Sequence, residues 1–229
     1  MSSSSDTSLK LVIFDLDGTL IDSAADIVDT TNELLRQYGE PELPTATVVA
    51  AIGEGLKQLI HGCFPKLASS PEAVRKIDRD FYELYRANMM RKTEVFPGIR
   101  EFLSATPYKT AIVTNKYEDL THVTLEKLEL HRHPWVKVFG ADSLARKKPH
   151  PLPLQEVMKA AGVSPAETVM VGDGLPDMGA AKAAGVRALA CEYGYCAAEK
   201  LIAAGAFATV KSPWDLAQAL DALHDKPQV

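Results

Sequence analysis

Leu11-Val12-Ile13-Phe14-Asp15-Leu16-Asp17-Gly18-Thr19-Leu20 constrains the fold of this chain more than any other stretch. An apolar run of strand character delivers two carboxylates, two residues apart, into a glycine turn. In extended backbone, residues i and i+2 point to the same side. Asp15 and Asp17 therefore sit together where a strand ends. The unbroken apolar run predicts a strand buried on both faces, as in a parallel sheet. Two like charges held together cost free energy unless a metal, a lysine or a shared proton offsets the repulsion. The bland reading is an ordinary turn, since Asp and Gly are common turn residues. A calcium loop fits poorly. Counted from Asp15, its fifth, sixth and twelfth positions hold Thr19, Leu20 and Asp26, where a ligand, Gly and Glu are wanted.

The texture then changes to helix. Ser23 followed by Asp26 resembles a capping box, and Ile27, Leu34 and Leu35 fall on one helical face. Gly39, Pro41 and Pro44 enforce a loop. Short helices are predicted around 48–51 and 56–63, and a longer one from Ser70 as N-cap, with Pro71 at the first helical position, to about Met90. From Phe96 strands and helices alternate. Strands are predicted over 109–114, 136–139, 168–171, 186–190 and 208–210. Helices are predicted over 99–104, 117–128, 152–161 and 176–184, with others starting at Ser164-Pro165 and Ser212-Pro213. This order predicts an α/β fold: a Rossmann-like parallel sheet core with helices on both faces and an inserted α-helical cap. The expected division is a disordered tail over 1–8, a core formed by 9–21 and 92–229, and a cap over 22–91. Gly53-Glu54-Gly55 lacks a preceding strand and a third glycine, so it is no dinucleotide fingerprint.

Composition narrows the function classes. The formal net charge of −5, with no long basic block, argues against nucleic acid as a partner. No apolar run approaches the ~20 residues needed to span a bilayer. The polar N-terminus lacks the basic and apolar regions of a signal peptide, and a cytoplasmic location is expected. Cys63, Cys191 and Cys196 form no disulfide framework or zinc set and read as small apolar fillers in a reducing compartment.

Ligands of open α/β sheets bind beyond the carboxyl ends of the strands. At those ends this chain places Asp15-Leu16-Asp17-Gly18-Thr19, Thr114-Asn115-Lys116 and Gly172-Asp173-Gly174-Leu175-Pro176-Asp177. Arg146-Lys147-Lys148-Pro149 precedes a later helix. Taken singly, each piece has an ordinary explanation. Thr114 suits a strand, a lone lysine is mostly a surface group, and Asp173 and Asp177 could form a turn and a helix cap. Their order and joint placement make a chemical set.

This set resembles the haloacid dehalogenase superfamily in its phosphatase branch, through Asp15–Leu20, Val113-Thr114-Asn115, Lys148-Pro149 and Gly172-Asp173 with Asp177. Ile21-Asp22-Ser23, Val95-Phe96-Pro97-Gly98, Thr114-Asn115-Lys116 and Ala180–Gly185 are similar to the phosphoglycolate phosphatase subgroup. The resemblance implies a phosphomonoester hydrolase working through an aspartyl-phosphate on Asp15, with Asp17 as general acid and then base. It implies Mg²⁺ held by the Asp15 carboxylate, the Asp17 backbone carbonyl and the Asp173 carboxylate, with Asp177 in an outer or water-mediated place. Thr114 and the Asn115 N–H would bind phosphoryl oxygens, and Lys148 would supply positive charge. Lys147 is the neighbouring alternative, but the family's lysine precedes proline.

The substrate expected from the subgroup is 2-phosphoglycolate, with another small sugar phosphate or nucleotide as the alternative. The cap would set this choice, with Lys57 and Arg91 as candidate contacts. A sugar phosphomutase is the runner-up class, disfavoured by Thr19, where those relatives usually carry Val or a similar residue. Asp17 disfavours dehalogenase chemistry, and the intact acids and lysine disfavour a non-catalytic binding protein. Gly174 departs from the family's usual Ser or Thr but leaves both acids in place. The expected partners are the small phosphate ester and no nucleic acid or membrane, the chain acting as a monomer or homodimer. His131 and His133 read as surface or packing residues, Trp135 and Trp214 as packing residues, and Asp22 and Ser23 as hinge and capping residues, while His150 could border the site.

Overall fold

Strand β1 (Leu11–Phe14) is fully buried and shows why an unbroken apolar run is needed there. Val12 and Phe14 face one hydrophobic cluster and Leu11 and Ile13 face another, so alternate residues serve opposite sides of the sheet. In this computed structural model the described residues are 8–52 and 55–224. The expected tail apart from Ser8, and Gly53 and Glu54 of the glycine element, lie outside the described residues.

After β1 the chain forms β2 (Ile21–Asp22) and then four helices: α1 (Ala24–Gln37), α2 (Thr45–Val49), α3 (Leu56–Cys63) and α4 (Pro71–Asn88). It returns through β3 (Glu94–Val95), which pairs antiparallel with β2. The two crossings into and out of the helical block therefore lie side by side. The block has its own cluster, including Leu34, Ile60, Phe64, Ile77, Phe81 and Tyr85. Next come α5 (Ile99–Ala105), β4 (Lys109–Val113), α6 (Glu118–Lys127), β5 (Val138–Phe139) and α7 (Leu152–Ala161). The chain ends with β6 (Thr168–Gly172), α8 (Leu175–Ala184), β7 (Arg187–Cys191), α9 (Ala198–Ala203), β8 (Ala208–Val210) and α10 (Leu216–His224).

Six strands make a parallel sheet in the order β5-β4-β1-β6-β7-β8. Helices α5 and α10 cover the face of Val12 and Phe14, while α7 and α8 cover the face of Leu11 and Ile13. This is the expected α/β architecture. No described helix is long and apolar enough to cross a membrane.

Several local expectations are corrected. Ser23 does not cap α1 through its side chain; the Ala24 N–H is instead accepted by Asp22 Oδ1 at 3.1 Å. Asp26 turns away from the helix end and accepts the Lys92 and Thr93 N–H groups and the Thr93 hydroxyl. The returning strand offers it more donors than a capping box would. Ser164-Pro165 starts only a single 3-10 turn (Pro165–Glu167), because the apolar β-branched run after it is drawn into β6. Ser212-Pro213 likewise opens a 3-10 turn (Pro213–Asp215) that leads into α10. Trp214 is 60 % exposed rather than packed inside; its ring lies over Gly98, where an added Cβ would meet it at 2.8 Å.

Candidate active site

Strand β1 lies between β4 and β6, with Phe14 level with Ile112 and Val171. The residues just past these three strands therefore converge: Asp15 after β1, Thr114 and Asn115 after β4, Asp173 after β6. Lys148 comes from the connection between β5 and α7, and Asp177 from the first turn of α8. All six are buried.

Lys148 is wholly buried, with Nζ 3.0 Å from Asp15 Oδ1 and 2.6 Å from Asp177 Oδ1. Asp15 Oδ1 also accepts the Leu16 N–H at 2.7 Å. Asp173 is fixed on both oxygens, by the Thr19 hydroxyl at 2.8 Å and the Tyr195 N–H at 2.9 Å. Asp177 Oδ2 accepts the Gly174 N–H at 2.9 Å and so closes the start of α8. Two glycines give Asp173 its room. A Cβ on Gly18, whose φ is +81°, or on Gly194 would come within 2.2 Å of its side chain.

Asp17 faces other partners. Its Oδ1 accepts the Ser23 hydroxyl at 2.6 Å, and Lys116 Nζ lies 2.9 and 3.2 Å from its two oxygens. Lys116 also donates to the Tyr85 hydroxyl on α4 at 3.0 Å. Tyr195 joins the two halves of the site. Its N–H holds Asp173, and its hydroxyl accepts the Ser23 N–H at 2.8 Å and donates to Asp22. Thr114 Oγ1 accepts the Lys116 N–H. Asn115 Nδ2 donates to the Lys148 carbonyl at 3.1 Å, while its buried Oδ1 has no hydrogen-bond partner among the described residues.

Burial and the charge of Asp177 push the Asp15 carboxyl up to about 7, against the opposing pull of Lys148. Burial, with Asp15 and Asp177 nearby, raises Asp173 well above the ordinary carboxylate range. Burial disfavours the Lys148 ammonium, but Asp15 and Asp177 outweigh it and hold the group above its ordinary value. The oxygens of Asp15, Asp173 and Asp177 lie within 4.8 Å of one another. One lysine facing three buried carboxylates leaves an excess of negative charge. An all-oxygen donor set of this kind fits a hard divalent cation.

Asp15, Asp17, Thr114, Asn115 and Lys116 form the floor of a cavity of about 90 Å³. Its walls and roof include Ile27, Leu56, Leu59, Phe81 and Tyr85 of the helical block and Tyr117 and Leu120 at α6. Lys148, not Lys147, carries the contacts to Asp15 and Asp177. Lys57 and Arg91 are exposed and are not among the residues lining the cavity. His133 bonds Thr110 near the amino end of β4 and packs on Trp135, away from the carboxyl ends of the strands. Sequence reasoning passed over Lys116, Ser23 and Tyr195 as contacts of the acids. The one signal available was the position of Lys116, directly after Thr114-Asn115.

The haloacid dehalogenase-like hydrolase family model matches residues 12–191. The phosphoglycolate phosphatase of Chromobacterium violaceum is 36 % identical over 211 residues, covering 89 % of this chain and 93 % of that protein. The plasmid phosphoglycolate phosphatase of Cupriavidus necator is 37 % identical over 206 residues, covering 88 % of each. Among solved structures, a predicted phosphoglycolate phosphatase from Haemophilus somnus superposes with a TM-score of 0.83 at 26 % identity, covering 92 % of this chain and 97 % of that one. The matched span runs from β1 to the end of β7 and so includes every acid and the lysine of the site. The chain belongs to the haloacid dehalogenase-like hydrolases.

Proposed function

We propose that this hydrolase is a Mg²⁺-dependent phosphatase that releases phosphate from a small phosphomonoester, with 2-phosphoglycolate as the favoured substrate. The observation that carries this reading is the buried Asp15 held by Lys148 beside Asp173 at the sheet end. The curated relatives named phosphoglycolate phosphatase support the choice of substrate.

Phosphoryl transfer is mainly a problem of positioning and of neutralising charge. Asp15, Asp173 and the Asp17 carbonyl would hold Mg²⁺, with Asp177 behind them. When bound, the ion supplies positive charge to the phosphoryl oxygens and offsets the repulsion among the acids. Lys148 holds Asp15 in place and keeps positive charge beside it. An Asp15 oxygen attacks phosphorus, forming an aspartyl-phosphate as the P–O bond to the leaving group breaks. Asp17 gives its proton to the leaving oxygen. It then takes a proton from the water that attacks the aspartyl-phosphate, which frees inorganic phosphate and restores Asp15. Thr114 and Asn115 bind the remaining phosphoryl oxygens. Asn115 has a buried acceptor left over, which a bound water or protonated ligand oxygen can satisfy. Residues 22–91 act as a cap that excludes bulk water from this chemistry.

The test is a panel of phosphate esters offered with Mg²⁺ and with chelator, beside Asp15→Asn. The wild type should release phosphate with Mg²⁺ only, with phosphoglycolate among the best substrates, and Asp15→Asn should lose about 10⁴-fold or more in rate. No metal-dependent release from any ester would reject the reading. Good turnover of many esters but not phosphoglycolate would keep the phosphatase and reject the substrate. Transfer within a sugar without free phosphate would select a mutase.

A further inference from the structure

Lys116 brings a second buried ammonium into the site, paired with Asp17 where Lys148 is paired with Asp15 and Asp177. Its side chain is only 6 % exposed, and it lines the cavity whose other walls include Ile27, Leu59 and Phe81. Its partners among the described residues are the Asp17 carboxylate and the Tyr85 hydroxyl, and Nζ also lies 4.8 Å from the centre of the Tyr85 ring. The apolar wall gives this charge no purpose in packing, because burying an ammonium is costly unless it is paired. Lys116 is not the sole donor to Asp17, since the Ser23 hydroxyl also donates to its Oδ1 at 2.6 Å. The position of Lys116 is therefore informative. The proposed general acid must face the oxygen that leaves phosphorus. A cation within 3 Å of that acid lies next to the atoms attached to the leaving oxygen, not next to the phosphoryl group.

We propose that Lys116 is a specificity-determining residue that binds a carboxylate carried by the leaving group, one or two carbons from the ester oxygen. This rests on the phosphatase reading above and extends it to the part of the substrate that is not phosphate. An ammonium has three donors. Asp17 and Tyr85 hold Lys116 in place from the floor and the roof, and the substrate carboxylate approaches it from the cavity. Phosphate charge is met at Lys148 and the acid cluster, and carboxylate charge at Lys116. The two anionic ends of a short substrate are thus met by separate cations. A neutral alcohol in the same place would give Lys116 no charge to meet beyond that of Asp17.

The experiment compares 2-phosphoglycolate with its carboxamide, phosphoglycolamide, in the wild type, Lys116→Met and Lys116→Arg, with Mg²⁺ present. The readout is the ratio of kcat/KM for acid over amide. The wild type should favour the acid by about 100-fold. Lys116→Met should collapse the ratio to near unity, chiefly through KM for the acid. Lys116→Arg should keep most of it. A role limited to supporting Asp17 would lower both substrates equally and leave the ratio intact, which would overturn the inference. A wild-type ratio near unity would overturn it too, with the phosphatase reading still standing, and decides the matter even if Lys116→Met fails to fold. Failure of the wild type to release phosphate from either ester, or from the wider panel, would reject the phosphatase reading itself.

Discussion

Asp173 sits where a negative charge is least welcome, buried with Asp15 and Asp177 within 4.8 Å. That placement has a consequence for stability. In the metal-free protein Asp15 and Asp173 hold protons to higher pH than in the unfolded chain. Asp15 moves from an ordinary 3.8 to about 7. The native state therefore binds more protons than the unfolded state across that window, and stability falls as pH rises through it. In chelator, Tm should drop between about pH 4 and 7, and Mg²⁺ should restore it by binding the folded state. Asp173→Asn should flatten the decline and remove most of the Mg²⁺ shift. A Tm independent of pH in chelator, or a full Mg²⁺ shift in the variant, would contradict this. The acids themselves were legible because residue type and order along the chain announce them. Lys116, Ser23 and Tyr195 were not, since each acts through a contact spanning 6 to 172 residues that no local pattern encodes. Lys57 and Arg91 show the opposite error, in which charge within the right segment says nothing about which way a helix turns.

At the scale of elements, Asp26 ties the start of the helical block to its end. From the first turns of α1 it accepts the Lys92 N–H at 3.1 Å, the Thr93 N–H at 3.0 Å and the Thr93 hydroxyl at 2.6 Å. Asp26→Ala would leave these donors unanswered beside a buried wall, at a cost of about 2–4 kcal/mol. For a chain of this size Tm should fall by about 5–15 °C. Asp29→Ala makes the control, because its pair with Lys92 is exposed on both sides and worth under about 1 kcal/mol. Equal losses from the two variants would show that the buried network is not the tie. The long elements were readable because β1, α1, α4 and α7 carry clear apolar periodicity or caps. Strands β2 and β3 escaped because two residues define no period, and their pairing joins segments 72 residues apart or more. Helix α9 is six residues and buries only Leu201, too little for a helical face to appear.

Across the whole molecule, the sheet and the helical block meet through a ring of polar contacts around an apolar cavity. Tyr117, just before α6, donates to Asp78 on α4 at 3.0 Å, and Tyr82 on α4 donates to Asp119 on α6. Tyr85 reaches Lys116. Only two short strands, β2 and β3, carry the chain between the two parts. Contacts of this kind can break and re-form at modest cost, as a cap that admits substrate requires. The fraction of molecules in the binding-competent arrangement sets the apparent affinity for substrate. Tyr82→Phe deletes one tie while keeping the ring that packs edge-on against Tyr117. It touches none of the acids or lysines of the site. One lost hydrogen bond of about 0.5–1.5 kcal/mol should raise KM by about 2- to 10-fold. The chemical step, measured in a single turnover at saturating substrate, should stay within about twofold of wild type. Asp78→Ala should act in the same direction through Tyr117. If KM holds constant in both variants, substrate enters without parting the block from the sheet.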